Sequence, residues 1–194
     1  NRQMMEIAPF DWSTINNGCG FDVIIGNPPY VNTEGMHALL PSAEVEVYKK
    51  KYKTSHKQFD KYFIFIEQAI NKINENGLVC YIVPNKFFKI GAGEKLRNLI
   101  AKERMLVSLD DFGDAQLFED KTIYSSIILL SKAKQTSFVY SSVDSANKLW
   151  AGEEVSSIEL SSSVLNKLPW RLTTDFAFLT MLQRLDEVSV PITK

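Results

Sequence analysis

Two cysteines in 194 residues exclude a disulfide-stapled scaffold. Cys19 and Cys80 lie far apart, and Cys80 falls in an apolar strand pattern that reads as a buried free thiol. The two histidines, His37 and His56, are isolated and exposed by context, so neither is assigned a metal. No apolar run approaches the ~18 residues of a membrane span, and no signal peptide opens the chain. The default is a cytoplasmic protein with no membrane partner. Charge of one sign is also lacking: 22 Lys and Arg against 23 Asp and Glu leave a net −1. That balance does not advertise nucleic-acid binding, though a larger polypeptide could carry its basic surface elsewhere. Finally, no glycine-rich nucleotide turn is present. Gly18-Cys19-Gly20 has no strand before it and no helix after it.

What is there is globular. Hydrophobic content of 45% and charged content of 23% suit one domain with a sizeable core. Asp22 to Ile25 reads as a short buried strand, and Val31 to Ser42 as a loop. A helix is expected from Ser42 to about Tyr52, and the clearest helix from Phe59 to Asn76. In that helix Tyr62, Phe63, Ile66, Ala69, Ile70 and Ile73 recur at three- and four-residue spacing, and Asn76-Gly77 ends it. Strands follow at Leu78–Val83, Leu106–Phe112, Ile123–Leu130 and Ser137–Ser141, with an amphipathic helix at Gly93–Arg104. The alternation predicts an α/β fold with a parallel sheet whose last two strands form an antiparallel edge. Val143 to Trp150 reads as a short helix and Thr174 to Glu187 as a final one, with Phe176, Leu179, Leu182 and Leu185 on one face. The serine-rich stretch Val155 to Leu168 is weakly patterned. Pro169-Trp170 reads as a boundary, giving one unit over 1–168 and the start of another over 169–194.

The chain is organised around Phe21-Asp22-Val23-Ile24-Ile25-Gly26-Asn27-Pro28-Pro29-Tyr30. Gly26 permits a tight turn, and the two prolines fix φ and remove two backbone donors. The bend leaves the carboxyl end of a strand, where ligands of open α/β sheets bind. It offers an amide (Asn27), a carbonyl (Pro28) and a flat aromatic (Tyr30). That set suits a planar amine: two acceptors for its hydrogens and a ring for its face.

These residues in this setting resemble the S-adenosylmethionine-dependent amino-methyltransferases that carry the Asn-Pro-Pro-Tyr motif. The resemblance extends through Asp60-Lys61-Tyr62-Phe63-Ile64-Phe65-Ile66-Glu67-Gln68-Ala69-Ile70, Asn76 to Phe87, Lys95 to Ile100, and Phe112 to Leu130. The order is that of adenine-N6 DNA methyltransferases of restriction–modification systems. It implies a partial Rossmann-like sheet built from the later strands, with double-stranded DNA as partner and its target adenine flipped out. It also implies roles. Asn27 and Pro28 would accept the N6 hydrogens, Tyr30 and Phe118 would stack on the base, and Pro29 and Phe65 would wall the cofactor's adenine. Read from pattern alone, Phe65 is ordinary helix core and Phe118 a loop aromatic.

The family's glycine-rich cofactor turn should precede the motif, so the amino-terminal cofactor-binding half is expected to be missing. With Asn1 in place of an initiator Met, the stretch reads as a piece that is inactive alone, binds cofactor weakly or not at all, and could self-associate through the exposed sheet edge. Asp60 reads as a helix-dipole partner. Lys49, Lys50, Lys51, Lys53, Lys57 and Lys61 read as a solvated face or a phosphate contact. Trp12, Trp150 and Trp170 read as packing residues. A protein-glutamine or RNA methyltransferase, and a non-catalytic DNA-binding module that retains the motif, remain open.

Overall fold

The computed structural model describes residues 18–40, 42–117 and 123–189. They form a six-stranded sheet flanked by helices, with strands β1 (Phe21–Gly26), β2 (Ile73–Pro84), β3 (Leu106–Gln116), β4 (Tyr124–Ser131), β5 (Ser137–Ser142) and β6 (Ser156–Ser161). The order across the sheet is β1-β2-β4-β3-β5-β6. Pairs β1/β2 and β3/β5 are parallel; β2/β4, β3/β4 and β5/β6 are antiparallel. The α/β class holds, and the edge is antiparallel. The fourth and fifth strands, however, are not neighbours. β4 inserts between β2 and β3, and the edge partner of β5 is β6. Runs such as Ile127 to Leu130 show why: an apolar strand of this length gains most where neighbours cover both its edges. The strand β6 escapes sequence reading because only Ile158 and Leu160 alternate among serines.

Three further expectations change. β1 is an edge strand, not a buried one: Val23 is 57% and Ile25 78% exposed. Among the described residues β1 pairs with β2 alone, so strand propensity at this site reflects pairing rather than burial. The expected loop after the motif holds a helix, α1 (Thr33–Leu39). Asn32 caps it, its side chain accepting from the Gly35 N–H at 2.8 Å. The main helix, α3 (Lys61–Lys72), stops four residues early, because Ile73 turns extended and pairs with Phe21. Gly77, expected as the helix end, lies inside β2, where an added Cβ would come within 2.7 Å of the Phe21 carbonyl oxygen.

The core sits between α3 and the sheet. Tyr62, Phe63, Ile66 and Ile70 face Val79, Val83, Ile128 and Leu130, all buried. Each such side chain contributes about 1.5–3 kcal/mol. Helix α2 (Ser42–Lys51) is tied down by a buried carboxylate beyond its end. Glu67 accepts from the backbone N–H groups of Lys53 and Thr54 at 3.0 and 2.8 Å. Helix α4 (Glu94–Lys102) buries Leu96, Ile100 and Arg97. Short helix α5 (Ala146–Trp150) and α6 (Phe176–Val188) complete the order. The α6 face expected to be shared is only partly covered, and Phe176 and Leu185 are exposed. Trp170 is buried against Phe87 and Phe88, at ring separations of 5.8 and 5.9 Å. Cys19 and Cys80 are both free, and Cys80 is half-buried rather than buried. Among the described residues no helix is long and apolar enough to cross a membrane.

Candidate functional site

The parallel register Ile25↔Cys80 and Gly26↔Tyr81 brings the carboxyl ends of β1 and β2 side by side. The motif bend leaves one end, and a 3-10 turn over Asn85–Phe88 leaves the other. Asn27 is exposed, and among the described residues no hydrogen bond engages its side chain. Pro28 is buried and Pro29 exposed. No described backbone N–H donates to the Pro28 carbonyl. Two acceptors therefore stand unused at the lip of the sheet.

Tyr30 is half-buried and fixed. Its hydroxyl donates to the Ile82 carbonyl at 2.8 Å, and its ring meets Tyr62 edge-on at 6.1 Å. Burial pushes its phenol up to about 12, so the ring is neutral at physiological pH. The chain beyond it is stitched to the start of α3. The Lys61 N–H donates to the Val31 carbonyl at 2.8 Å, the Thr33 hydroxyl donates to the Phe59 carbonyl at 2.8 Å, and Asn32 bridges Asp60.

Tyr30 lines a cavity of about 540 Å³ together with Asn32, Asp60, Asn85, Lys86 and Tyr124. Asn27, Pro28 and Pro29 do not line it; they stand at the bend that leads to Tyr30. Asp60 was expected to serve the helix dipole. It is instead buried in this wall, makes no cap hydrogen bond, and accepts from Lys86 Nζ at 2.8 Å. Asn85 donates through Nδ2 to Asp111 Oδ1 at 2.8 Å and to the Gly113 carbonyl at 3.3 Å. Asp111 also accepts from the Gly113 N–H at 3.1 Å and the Tyr140 hydroxyl at 3.3 Å. This carboxylate and burial together push the Tyr140 phenol upward, burial being the larger cause.

Phe65 lies elsewhere. It is 39% exposed on a helix whose other large apolar residues are buried, so it is not ordinary core. It lines an apolar cavity of about 440 Å³ with Phe21, Ile24, Tyr48, Tyr52 and Tyr81. Helix α3 thus reaches both cavities, through Asp60 at its start and Phe65 in its second turn. A cavity of about 670 Å³ at the amino ends of β1 and β2 holds none of the motif residues. Phe118 and Trp12 lie outside the described residues. The basic cluster is spread over a solvated surface. Lys49 pairs with Glu46 at 2.9 Å, and Lys61 lies over the Tyr48 ring at 5.7 Å.

Sequence reasoning missed Tyr124, Asn85 with its Asp111 brace, and Arg97. Tyr124 could have been found as a large aromatic at the very start of an otherwise apolar strand. Arg97 gave no signal, since one arginine in an amphipathic helix reads as solvated.

Residues 2–118 match the family described as Eco57I restriction-modification methylase. The Type II restriction enzyme and methyltransferase RM.Eco57I of Escherichia coli is 42% identical over 151 residues, covering 78% of this chain and 14% of that protein. The chain therefore spans about a seventh of that relative's length. Two solved structures share the fold. One is the type I restriction-modification system methyltransferase subunit from Streptococcus thermophilus, with TM-score 0.53 and 16% identity over 80% of this chain and 37% of that one. The other is a nuclease-deletion mutant of the Type ISP restriction-modification enzyme LlaGI in complex with a DNA substrate mimic, with TM-score 0.56 and 16% identity over 81% and 18%. With 117 of its 194 residues inside the family's match, this chain belongs to the Eco57I restriction-modification methylase family.

Proposed function

We propose that this chain supplies the target-amine site of a DNA adenine-N6 methyltransferase within a restriction–modification system, with S-adenosylmethionine as methyl donor. The observation that carries the reading is the pair of unused acceptors, Asn27 and the Pro28 carbonyl. They stand at the carboxyl end of β1, beside a ring fixed by its own hydroxyl.

Adenine's N6 lone pair is delocalised into the ring and is a weak nucleophile. Hydrogen bonds from both N6 hydrogens, one to the Asn27 side-chain oxygen and one to the Pro28 carbonyl, would localise that pair on nitrogen and aim it. This is positioning and preorganised electrostatics rather than proton abstraction by a strong base. It accounts for a motif without His or carboxylate. A base reached this way must leave the duplex, and Tyr30 would restore the stacking it loses, worth about 1–3 kcal/mol. By the resemblance, Phe118 is one candidate for the ring on the base's other face.

The residues of the second cavity fit part of the cofactor. Phe65 offers an exposed aromatic face in an apolar pocket, which suits an adenine ring; Pro29, the other residue expected there, is exposed but does not line this pocket. No Asp or Glu lines that pocket, so the ribose hydroxyls and the amino-acid ammonium find no acidic partner in it. When bound, the cofactor supplies an electrophilic sulfonium methyl. The outer edge of β1, which pairs with no further strand among the described residues and where Val23 and Ile25 are exposed, is a surface on which another strand or a second copy would add.

The full-length protein, given unmodified duplex DNA and methyl-labelled cofactor, is expected to yield N6-methyladenine on nuclease digestion and chromatography. Label in RNA or in protein glutamine, with none in DNA, would overturn the reading.

A further inference from the structure

We infer that Tyr124 forms a second aromatic wall of the cavity that receives the extruded base, opposite the strand end that carries Tyr30. The inference rests on the proposed function: a base whose amine meets Asn27 and Pro28 stacks on Tyr30, and Tyr30 lines this cavity. Four observations carry it. First, β4 is an interior strand with buried Ser125, Ser126, Ile128 and Leu130, yet Tyr124 at its start is 49% exposed. A large ring left open where the rest of the strand is covered has a free face. Second, the register places it. Ser125 pairs with Pro84, so Tyr124 lies one step beyond the end of β2, beside Asn85. Third, Tyr124 and Tyr30 line the same 540 Å³ cavity, although they are 94 residues apart in the chain. Fourth, Tyr30 is held by Ile82 and Tyr62 and cannot swing to cover a guest on two sides. A flat guest resting on Tyr30 leaves its other side to whichever ring lies across the cavity, and Tyr124 is the described aromatic there.

The remaining lining is chemically suited to a base rather than to an apolar ligand. Asn85 Nδ2 is committed to Asp111 and Gly113 and Asn32 Oδ1 to the Gly35 N–H, so Asn85 Oδ1, Asn32 Nδ2 and the Asp60–Lys86 pair are the polar groups left for the rim, and two rings supply the faces. The Tyr124 hydroxyl makes no hydrogen bond to the described residues, so the ring rather than the hydroxyl is the working part.

The test uses the full-length protein, with methylation of unmodified duplex DNA by labelled cofactor as the assay. Tyr124→Ala is expected to lower kcat/KM for DNA about tenfold, the size of one lost base–aromatic contact. KM for the cofactor should stay within a factor of two or so, because Tyr124 is remote from the Phe65 cavity. Tyr124→Phe should recover most of the loss, and Tyr124→Trp likewise. Unchanged kcat/KM in Tyr124→Ala, alongside an active wild type and a Phe118→Ala variant that fails, overturns the inference alone. So does a Tyr124→Phe variant as impaired as Tyr124→Ala, or a parallel rise in the cofactor's KM. A wild type that methylates no adenine removes the base-site reading beneath it.

Discussion

Two asparagines stand one at each end of a pair of neighbouring parallel strands, and the structure treats them oppositely. Asn27 leaves β1 with its amide unengaged among the described residues. Asn85 leaves β2 with Nδ2 shared between Asp111 and Gly113. Around Asn85 the loop's donors are committed to the protein itself. Arg97, 2% exposed, donates Nη1 to the carbonyls of Phe87 and Ile90 at 2.6 and 2.8 Å, and Nε to the Lys167 carbonyl at 3.0 Å. Trp170 closes the same loop by its backbone N–H on the Phe88 carbonyl at 2.9 Å. The lesson is one of division. The β2 loop spends its polar groups on itself and becomes a rigid jaw, while the β1 bend keeps its acceptors for something else. Asn27 is exposed, so water satisfies its amide at no folding cost and a ligand can replace that water, and that availability singles out the bend.

The largest expected effect breaks the comparison at its first member. Asn27→Ala in the full-length protein should reduce kcat for adenine methylation by about a hundredfold or more, the scale of one lost preorganised polar contact in a transition state. Melting temperature and DNA affinity should hardly move, since the native fold makes no use of that amide. A variant that keeps wild-type kcat would show that the open amide is idle.

The opposite jaw should fail in the opposite way. Arg97→Met takes a donor from three carbonyl oxygens; Ile90 keeps the Gly93 N–H, while the Phe87 and Lys167 carbonyls lose theirs, at about 1–3 kcal/mol where the orphan is buried. Gly93 packs so closely against this arginine that the space suits its planar fork: an added Cβ there would meet Nη1 at 2.8 Å. A loss of about 3 kcal/mol in local stability is expected, read as roughly hundredfold faster amide exchange across 85–93 and 166–170. Exchange confined to wild-type rates would mean that the loop is held by Trp170 alone. Asn85→Ala should be milder, at about 1–2 kcal/mol, because the Asp111 carboxylate keeps the Gly113 N–H and Tyr140 hydroxyl as partners.

The same division explains what the sequence made legible. The bend was readable because its chemistry is local: Gly26, two prolines, an amide and a ring are adjacent. Helix α3 and strands β2 to β5 were readable because their periodicity is strong. The jaw was not readable. It joins Asn85 to Asp111 across 26 residues and Arg97 to Lys167 across 70. Tyr124 entered the site only through the insertion of β4 beside β2, a pairing that follows from the whole sheet rather than from any window. The burial assigned to β1 failed for a related reason. Ile24 and Ile25 have strand propensity, but propensity does not say how many neighbours a strand will have. Phe65 illustrates the converse. Its helical spacing reads as core, and its exposure emerges only because a cavity opens at that turn between α3 and residues Phe21 and Ile24 of β1.

The smallest effect sharpens the comparison within the motif itself. Tyr30 is the one residue of the bend that the protein does hold, through the hydroxyl on Ile82. Tyr30→Phe keeps the ring but frees it, at about 1 kcal/mol for one neutral hydrogen bond. Its signature is a pH dependence. Burial raises the folded phenol to about 12 from the 10.0 of an unfolded tyrosine. The folded state thus holds that proton more tightly, and the stabilisation is complete below pH 10. It is lost as pH climbs through the folded value, where the buried phenolate is disfavoured. The phenylalanine variant should lose less stability than wild type over that alkaline window. Other tyrosines with raised phenols, Tyr62 and Tyr81 among them, continue to titrate in both proteins. Parallel melting-temperature curves for the two proteins across the window would show that the hydroxyl is solvated and that the ring is positioned by Tyr62 instead.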